Sequence, residues 1–368
     1  MHDSPSSGSG GQTAAFWTPI DPRRSFGESK AAGQSVRVAA ATGPGGLEVV
    51  DVSFPRVDTE ALVHLERAGI CGTDLKILDG STPVSYPRVL GHELVGAVAQ
   101  APPEAKVAPG ARVLVNPGIN CGDCYLCHRD RPHLCGRGGL LGRDFDGVFA
   151  EAISLEERFL HPVPDQIPPD EAGLLQVLGT VVHSQQPVAV SSDTVAVVIG
   201  LGVSGILHTQ LLSDRGAGLV IGVSRSPWKL ELAKGLGADL VATPDEASDV
   251  VARASSGRGA DLVIESVGKE ETVVQSIHLA APGGDVIIYG TVTGGGTEMP
   301  YYQLYFKELT LHNPRAAVPR DYDEAIRLAA DGRIRLAPLI TARYPLEEAG
   351  AAFAAAGSGD HLKVLLTP

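Results

Sequence analysis

One thiol, one imidazole and one carboxylate stand close together in this chain. Cys71 lies in Gly69-Ile70-Cys71-Gly72-Thr73-Asp74, and His92 and Glu93 in Gly91-His92-Glu93-Leu94-Val95-Gly96. A thiolate, a neutral imidazole and an oxygen ligand form the mixed set that suits zinc. Three protein ligands with one open position is the catalytic arrangement. The alternative is a buried cysteine and a core histidine that lie near each other by chance.

A second candidate site is Cys121-Gly122-Asp123-Cys124-Tyr125-Leu126-Cys127, with Cys135 eight residues further on. Three cysteines at CxxC spacing and a fourth nearby close a tetrahedral sulfur shell, and Gly122 permits the tight turn. Structural zinc is the expected occupant; an iron–sulfur cluster or free thiols are the other uses of such a set. The cysteine count is odd, with four clustered and Cys71 alone. In a reducing compartment that argues against a disulfide framework and towards metal or catalysis. His128 and His133 are surplus to a four-sulfur shell and are expected at the surface.

A third pattern follows the continuous apolar run Val195-Ala196-Val197-Val198-Ile199, which reads as a strand buried on both faces. It leads at once into Gly200-Leu201-Gly202-Val203-Ser204-Gly205 and then a helical stretch to about Ser213. G-x-G-x-x-G between a buried strand and a helix is a dinucleotide fingerprint. Its glycines make the turn and let the backbone approach a pyrophosphate at the helix N-terminus. At the end of the next strand an acid would grip the ribose 2′-hydroxyl. Here the chain reads Val223-Ser224-Arg225-Ser226, with no acid. A guanidinium pairs with a 2′-phosphate that a carboxylate would repel. NADP(H) is therefore expected over NAD(H); the alternative is that Arg225 is a solvated surface charge.

These side chains need a scaffold of two kinds. Val36 to Pro117 alternates short β-rich runs with turns: Val36–Val38, Leu47–Val50, Ala61–Leu65, Val95–Val98 and Arg112–Val115. That pattern predicts a small β-barrel, with Cys71 after one strand and His92-Glu93 opening another. Pro168-Pro169-Asp170-Glu171 starts a helix whose apolar run, Leu174 to Val182, contains the polar Gln176. Beyond Val195, strands at Leu219–Val223, Leu240–Ala242, Asp261–Glu265 and Asp285–Tyr289 alternate with helices, one of them Trp228–Leu236. The alternation predicts a doubly wound parallel sheet. After Tyr289 the chain is expected to leave the sheet, with helices at Tyr322–Ala330 and Leu346–Ala356. A final strand at Leu362–Leu366 completes the first domain.

The 368 residues exceed one ordinary core and suggest two domains. A net charge of −13 without a basic patch argues against nucleic acid as a partner. No apolar run is long enough to span a bilayer, and Met1-His2-Asp3-Ser4-Pro5 lacks the basic and apolar parts of a signal peptide, so a cytoplasmic protein is expected. Residues 1–34, rich in Ser, Gly, Pro and Ala, read as a flexible N-terminal arm. Phe16-Trp17-Thr18-Pro19-Ile20 within it is apolar enough to dock on the body or on another subunit.

Taken together, the three motifs resemble the zinc-dependent medium-chain dehydrogenase/reductase family, from about Val36 to Lys363. The resemblance implies an α/β protein with a GroES-like catalytic domain (35–185 and 318–368), a structural zinc lobe (116–137) and a Rossmann domain (186–317). The active site would lie in the cleft between the two domains, in a homodimer or homotetramer. Cys71, His92 and Glu93 match the catalytic zinc site, and Gln176 occupies the place of a fourth ligand usually filled by Cys or Glu. The alternative for Gln176 is a residue of the helix surface or one standing behind the ligands. Asp74 matches the carboxylate behind the zinc-bound histidine, and Thr73 the residue that hydrogen-bonds the substrate hydroxyl. Lys229 matches a residue near the adenosine ribose, and Lys363 a basic residue at the pyrophosphate. Asn116, Pro117 and Phe145 fall where relatives line the substrate pocket. One departure is Lys76, where many relatives carry a histidine that ends the proton relay.

The implied activity is hydride transfer between NADP(H) and a small alcohol or ketone (a secondary alcohol, polyol or sugar-like molecule), with two zinc ions per subunit. The alternatives are an NADPH-dependent reductase of an activated double bond or aldehyde, and a zinc-containing binding protein without activity.

Overall fold

The computed structural model describes residues 35–53, 59–292, 296 and 298–368; the expected N-terminal arm, residues 1–34, lies outside them. The first part runs β1 (Ser35–Gly43), β2 (Gly46–Ser53), β3 (Ala61–Gly69), α1 (Gly72–Leu78), β4 (Arg88–Val89), β5 (Leu94–Gln100), β6 (Arg112–Val115), β7 (Gly118–Ile119), β8 (Gly139–Leu140), β9 (Ala152–Leu155) and β10 (Leu160–Pro162), then α2 (Pro169–Ala172) and α3 (Leu175–Gln185). The second is β11 (Val195–Ile199), α4 (Val203–Asp214), β12 (Leu219–Val223), α5 (Pro227–Lys234), β13 (Leu240–Ala242), α6 (Ala247–Ala254), β14 (Ala260–Glu265), α7 (Glu270–Leu279), β15 (Ala280–Ile288), α8 (Tyr301–Lys307) and β16 (Thr310–His312). The chain closes with α9 (Pro319–Ala330), β17 (Ile340–Pro345), α10 (Ala349–Gly357) and β18 (Lys363–Thr367).

The alternating runs become a seven-stranded sheet ordered β10-β6-β5-β3-β18-β17, with β9 also on β3, beside a three-stranded sheet β2-β1-β4. β18 pairs antiparallel with β3, so the end of the chain completes the sheet that its beginning started. Together these sheets enclose a GroES-like core of Val38, Val63, Leu90, Phe149 and Leu366, among others. The continuous apolar run is β11, buried at all five positions. It is flanked by β12 and β14 in parallel register, Val197 facing Ile221 and Val263. The six strands run β13-β12-β11-β14-β15-β16, a doubly wound Rossmann sheet.

Two details differ from expectation. The chain does not leave the sheet for good after Tyr289. It returns as β16, parallel to β15, where the His312 imidazole meets the Asp285 carboxylate at 2.6 Å. A three-residue strand carries too little periodicity to be read from sequence. The helix begun at Pro169 is also broken, into α2 and α3, at Gly173 and Leu174.

Helix α3 packs between the two sheets. Leu174, Leu178 and Val181 share one core with Val95 and Leu114 of the barrel and with Ala196 and Val198 of the Rossmann sheet. Any side chain at Gly179 would strike the ring of Tyr322 on α9, so the two helices approach closely there. Leu178 is fully buried, and Leu178→Ala would cost about 2–5 kcal/mol. This joint core fixes how the fingerprint loop faces the barrel.

Candidate active site

β3 and β5 are antiparallel neighbours with Ala68 opposite Leu94. The next rung, Gly69 N–H to Glu93 C=O at 2.9 Å, brings the end of one strand to the start of the other. Cys71, at the N-cap of α1, therefore meets His92 and Glu93. One ligand atom from each of the three lies within 4.8 Å of the others. Gly69 is needed because any Cβ there would collide with the Glu93 carboxylate.

Asp74 ties the two segments together. Its carboxylate accepts the Cys71 N–H at 2.9 Å and the Gly91 N–H at 3.1 Å, and stands 3.5 Å from His92 Nδ1. It is fully buried, so one acid fixes a segment on each side of the site. Burial alone would lower the His92 pKa, but the charges of Asp74 and Cys71 outweigh it and hold the imidazole well above its ordinary value.

Glu93 is also fully buried. Its Oε2 pairs with the Lys363 ammonium at 2.7 Å, whereas its Oε1 has no hydrogen-bond partner. An orphaned carboxylate oxygen beside a thiol and an imidazole fits a divalent cation that needs N, O and S donors. Lys363 was expected at the pyrophosphate. It is instead 3% exposed, with Nζ turned inward to Glu93 and to the Ile70 carbonyl at 3.1 Å. Burial opposes its charge, but Glu93 and Cys71 prevail and raise its pKa.

Gln176 is buried on α3, with its side chain against the Tyr322 hydroxyl. Burial raises the Tyr322 pKa and Gln176 opposes that rise. Thr73 is half-buried on α1, and its hydroxyl has no hydrogen bond to the described residues. Asn116 accepts the Gly118 N–H at 2.9 Å, Pro117 O accepts the Leu141 N–H at 3.0 Å, and Phe145 packs on the barrel core.

The four lobe cysteines form a second cluster. Their Sγ atoms stand 3.5 Å (124–127), 3.5 Å (121–135), 3.8 Å (124–135) and 3.9 Å (121–127) apart. A tetrahedron with metal–sulfur bonds of about 2.3 Å has edges of about 3.8 Å, whereas a disulfide needs about 2 Å. The spacing fits a four-thiolate ion site and no disulfide. The Cys127 N–H holds the Cys124 thiol down at about 6, while burial pushes Cys127 up to about 12. His133 is not a free surface group: it is half-buried and meets the His183 ring edge-on at 4.9 Å.

The fingerprint glycines have separate reasons. Gly200 has φ +92°, and a side chain at Gly205 would strike the Gly200 carbonyl. A Cβ on Gly202 would enter open space at the N-terminus of α4, which begins at Val203. A bare helix N-terminus that a ligand can approach closely fits a pyrophosphate. Ser224 Oγ accepts the Ser226 N–H at 3.2 Å. Arg225 between them is exposed and makes no ion pair among the described residues. Lys229 lies over the Trp228 ring at 5.2 Å; burial lowers its pKa, against Asp360.

Two cross-cleft residues, Tyr289 and Thr180, were not assigned from sequence. Tyr289, just past β15, donates its hydroxyl proton to Thr180 Oγ1 at 2.7 Å, since Thr180 spends its own proton on the Val177 carbonyl. Burial raises the Tyr289 pKa against the Thr180 hydrogen bond, and the Cys71 and Glu93 charges add to the rise. The available signals were a tyrosine at the carboxyl end of a parallel strand, where such sheets bind ligands, and Thr180 one helical turn after Gln176.

Comparison with known proteins agrees with this geometry. Residues 57–165 match the alcohol dehydrogenase GroES-like domain, and residues 204–331 match the zinc-binding dehydrogenase domain. An L-threonine 3-dehydrogenase of Pyrococcus horikoshii is 32% identical over 82% of this chain and 90% of its own length. A crystallised zinc-binding dehydrogenase of Sinorhizobium meliloti, bound to NADP, superposes with a TM-score of 0.85 at 31% identity, over 91% of this chain and all of the other. Galactitol-1-phosphate dehydrogenase of Escherichia coli gives 0.81 at 25% identity, over 90% and 100%. The chain belongs to the zinc-dependent medium-chain dehydrogenase family. It is an oxidoreductase of the alcohol and polyol type, and no helix among the described residues is long and apolar enough to cross a membrane.

Proposed function

We propose that the chain transfers hydride between NADP(H) and a secondary alcohol, polyol or sugar-like substrate, with two zinc ions per subunit. The observation that carries this is the orphaned Glu93 oxygen beside Cys71 and His92, next to the carboxyl end of a dinucleotide-binding sheet. Cys71, His92 and Glu93 would hold the catalytic ion, with Gln176 as the fourth donor; Cys121, Cys124, Cys127 and Cys135 would hold the structural one. A bound zinc supplies a Lewis acid that lowers the pKa of an alcohol, and a bound nicotinamide supplies the hydride acceptor. Thr73 would accept the substrate hydroxyl's hydrogen bond and relay its proton, passing on its own hydroxyl proton as it takes the substrate's. Asp74 keeps Cys71 and the His92 segment in place, and Lys363 offsets the charge of Glu93.

Gly200, Gly202, Val203 and Gly205 at the α4 N-terminus would hold the pyrophosphate, and Lys229 would stand near the adenosine. Arg225, exposed and without an acid partner, supports pairing with a 2′-phosphate. The NADP bound to the Sinorhizobium relative supports the same cofactor, and the threonine and galactitol-phosphate relatives support a small hydroxylated substrate. A homodimer or homotetramer is part of this reading, supported by the exposed aromatic residues Tyr301, Tyr302, Tyr305 and Phe306 on α8, beside the edge strand β16. The test is a screen of polyols and secondary alcohols with NADP⁺ in parallel on the native protein and Cys71→Ser. The variant should stay folded and lose turnover; near-normal turnover in it would overturn the assignment.

A further inference from the structure

Lys76 has no part in the chemistry above, yet it reaches across the cleft. It lies on α1, the helix that Cys71 caps and that carries Thr73 and Asp74. Its half-buried ammonium donates to the Thr291 carbonyl at 3.2 Å. Among the described residues it has no carboxylate within ion-pair distance. Two residues earlier, the Tyr289 hydroxyl is held by Thr180 on α3. The phenol ring is set edge-on against the buried His208 ring at 4.7 Å.

Between these two bonds the backbone has no slack. A Cβ at Gly290 would strike the Gly268 N–H and stand 2.6 Å from the Glu265 carboxylate. That carboxylate is itself fully buried and spent on the Val267 and Gly268 amides and the Thr272 hydroxyl. Residues 289–291 are thus pressed onto β14 from behind and bonded from in front by two helices of the metal-bearing side. A wall held at two points by α1 and α3 has a fixed distance from the ligands that those helices position.

We propose that Lys76 is a positioning residue. With the Thr180–Tyr289 pair it clamps the Tyr289–Thr291 wall of the cofactor side to the helix that carries Cys71 and Thr73. The kinetic part of this proposal rests on the hydride-transfer reading; the clamp itself does not. Lys76→Met removes the outer bond, Lys76→Arg keeps a donor, and Tyr289→Phe removes the inner bond while keeping the ring on His208. Hydrogen exchange on the zinc-loaded protein reads the clamp directly through the Tyr289 and Gly290 amides, both bonded to the Glu265 carbonyl.

Lys76→Met should speed that exchange by about tenfold, discounting a charged hydrogen bond for its partial exposure. Lys76→Arg should restore most of the protection. The double variant should exceed the product of the single effects, because each bond alone still holds the segment. In turnover, Lys76→Met should lower kcat about tenfold and raise the primary deuterium isotope effect, with little change in the KM for alcohol or in zinc content. Unchanged exchange in Lys76→Met, or no rescue by Lys76→Arg, would overturn the clamp. A native protein that oxidises no alcohol would overturn the functional reading and leave the exchange result standing.

Discussion

Lys363→Met isolates the most deeply buried ion pair beside the metal site. The native ammonium is 3% exposed and donates to Glu93, which is fully buried, and to the Ile70 carbonyl. Methionine matches the stem in length and removes only the charge and two hydrogen bonds. Glu93 is then left in the interior beside the Cys71 thiol, with Oε1 already unpartnered. Removing one member of a buried pair costs about 3–5 kcal/mol, because the other charge stays desolvated. The full loss should appear in zinc-free protein, where nothing else offsets the carboxylate; a bound divalent cation should recover part of it. The assay is urea unfolding of native, Lys363→Met and Lys363→Met/Glu93→Gln protein, each with and without zinc. The double variant removes the stranded charge and should recover more than half of the zinc-free loss. A loss below about 1 kcal/mol, or a double variant no more stable than the single, would show that the two groups are not a buried pair.

Arg225→Asp should raise the KM for NADPH about tenfold to a hundredfold and that for NADH far less, since a charge-assisted pair becomes a repulsion; equal effects on both would remove the argument for the 2′-phosphate. Cys124→Ser should release the lobe ion, measured as zinc per subunit, and lower the thermal midpoint, because the short lobe from Cys121 to Cys135 has few buried apolar side chains of its own. Burial holds His208 near 3, below its ordinary 6.5, so the unfolded chain binds the extra proton between those values. Stability from this group is complete above 6.5 and falls by about 1.4 kcal/mol per pH unit as the pH drops through that window. In His208→Gln, acid unfolding should lose that slope; a profile identical to native would refute the assignment.

Motifs with local chemistry were legible in the sequence. The CxxCxxC run and Cys135 announced a sulfur site because its ligands are nearly contiguous. Val195 to Gly205 announced the dinucleotide loop because strand, turn and helix follow without a break. The barrel strands were legible from alternation, as β1, β2, β3, β5 and β6. Pairings across long separations were not. Nothing in the residues around Lys363 says that its neighbour is Glu93, since the β18–β3 ladder that joins them spans most of the chain. Tyr289 and Thr180 carried only weak local signals, and their bond depends on α3 being wedged between two sheets. His133 looked superfluous for the same reason: its partner, His183, comes from that helix.

Zinc content per subunit tests the two-ion account most directly, measured on native protein, Cys71→Ser and Cys124→Ser after removal of loosely held metal. Native protein should hold two ions and each variant one, with turnover lost in Cys71→Ser. A native protein holding one ion that Cys71→Ser retains would mean that Cys71, His92 and Glu93 do not bind metal, and hydride transfer at that trio would have to be abandoned.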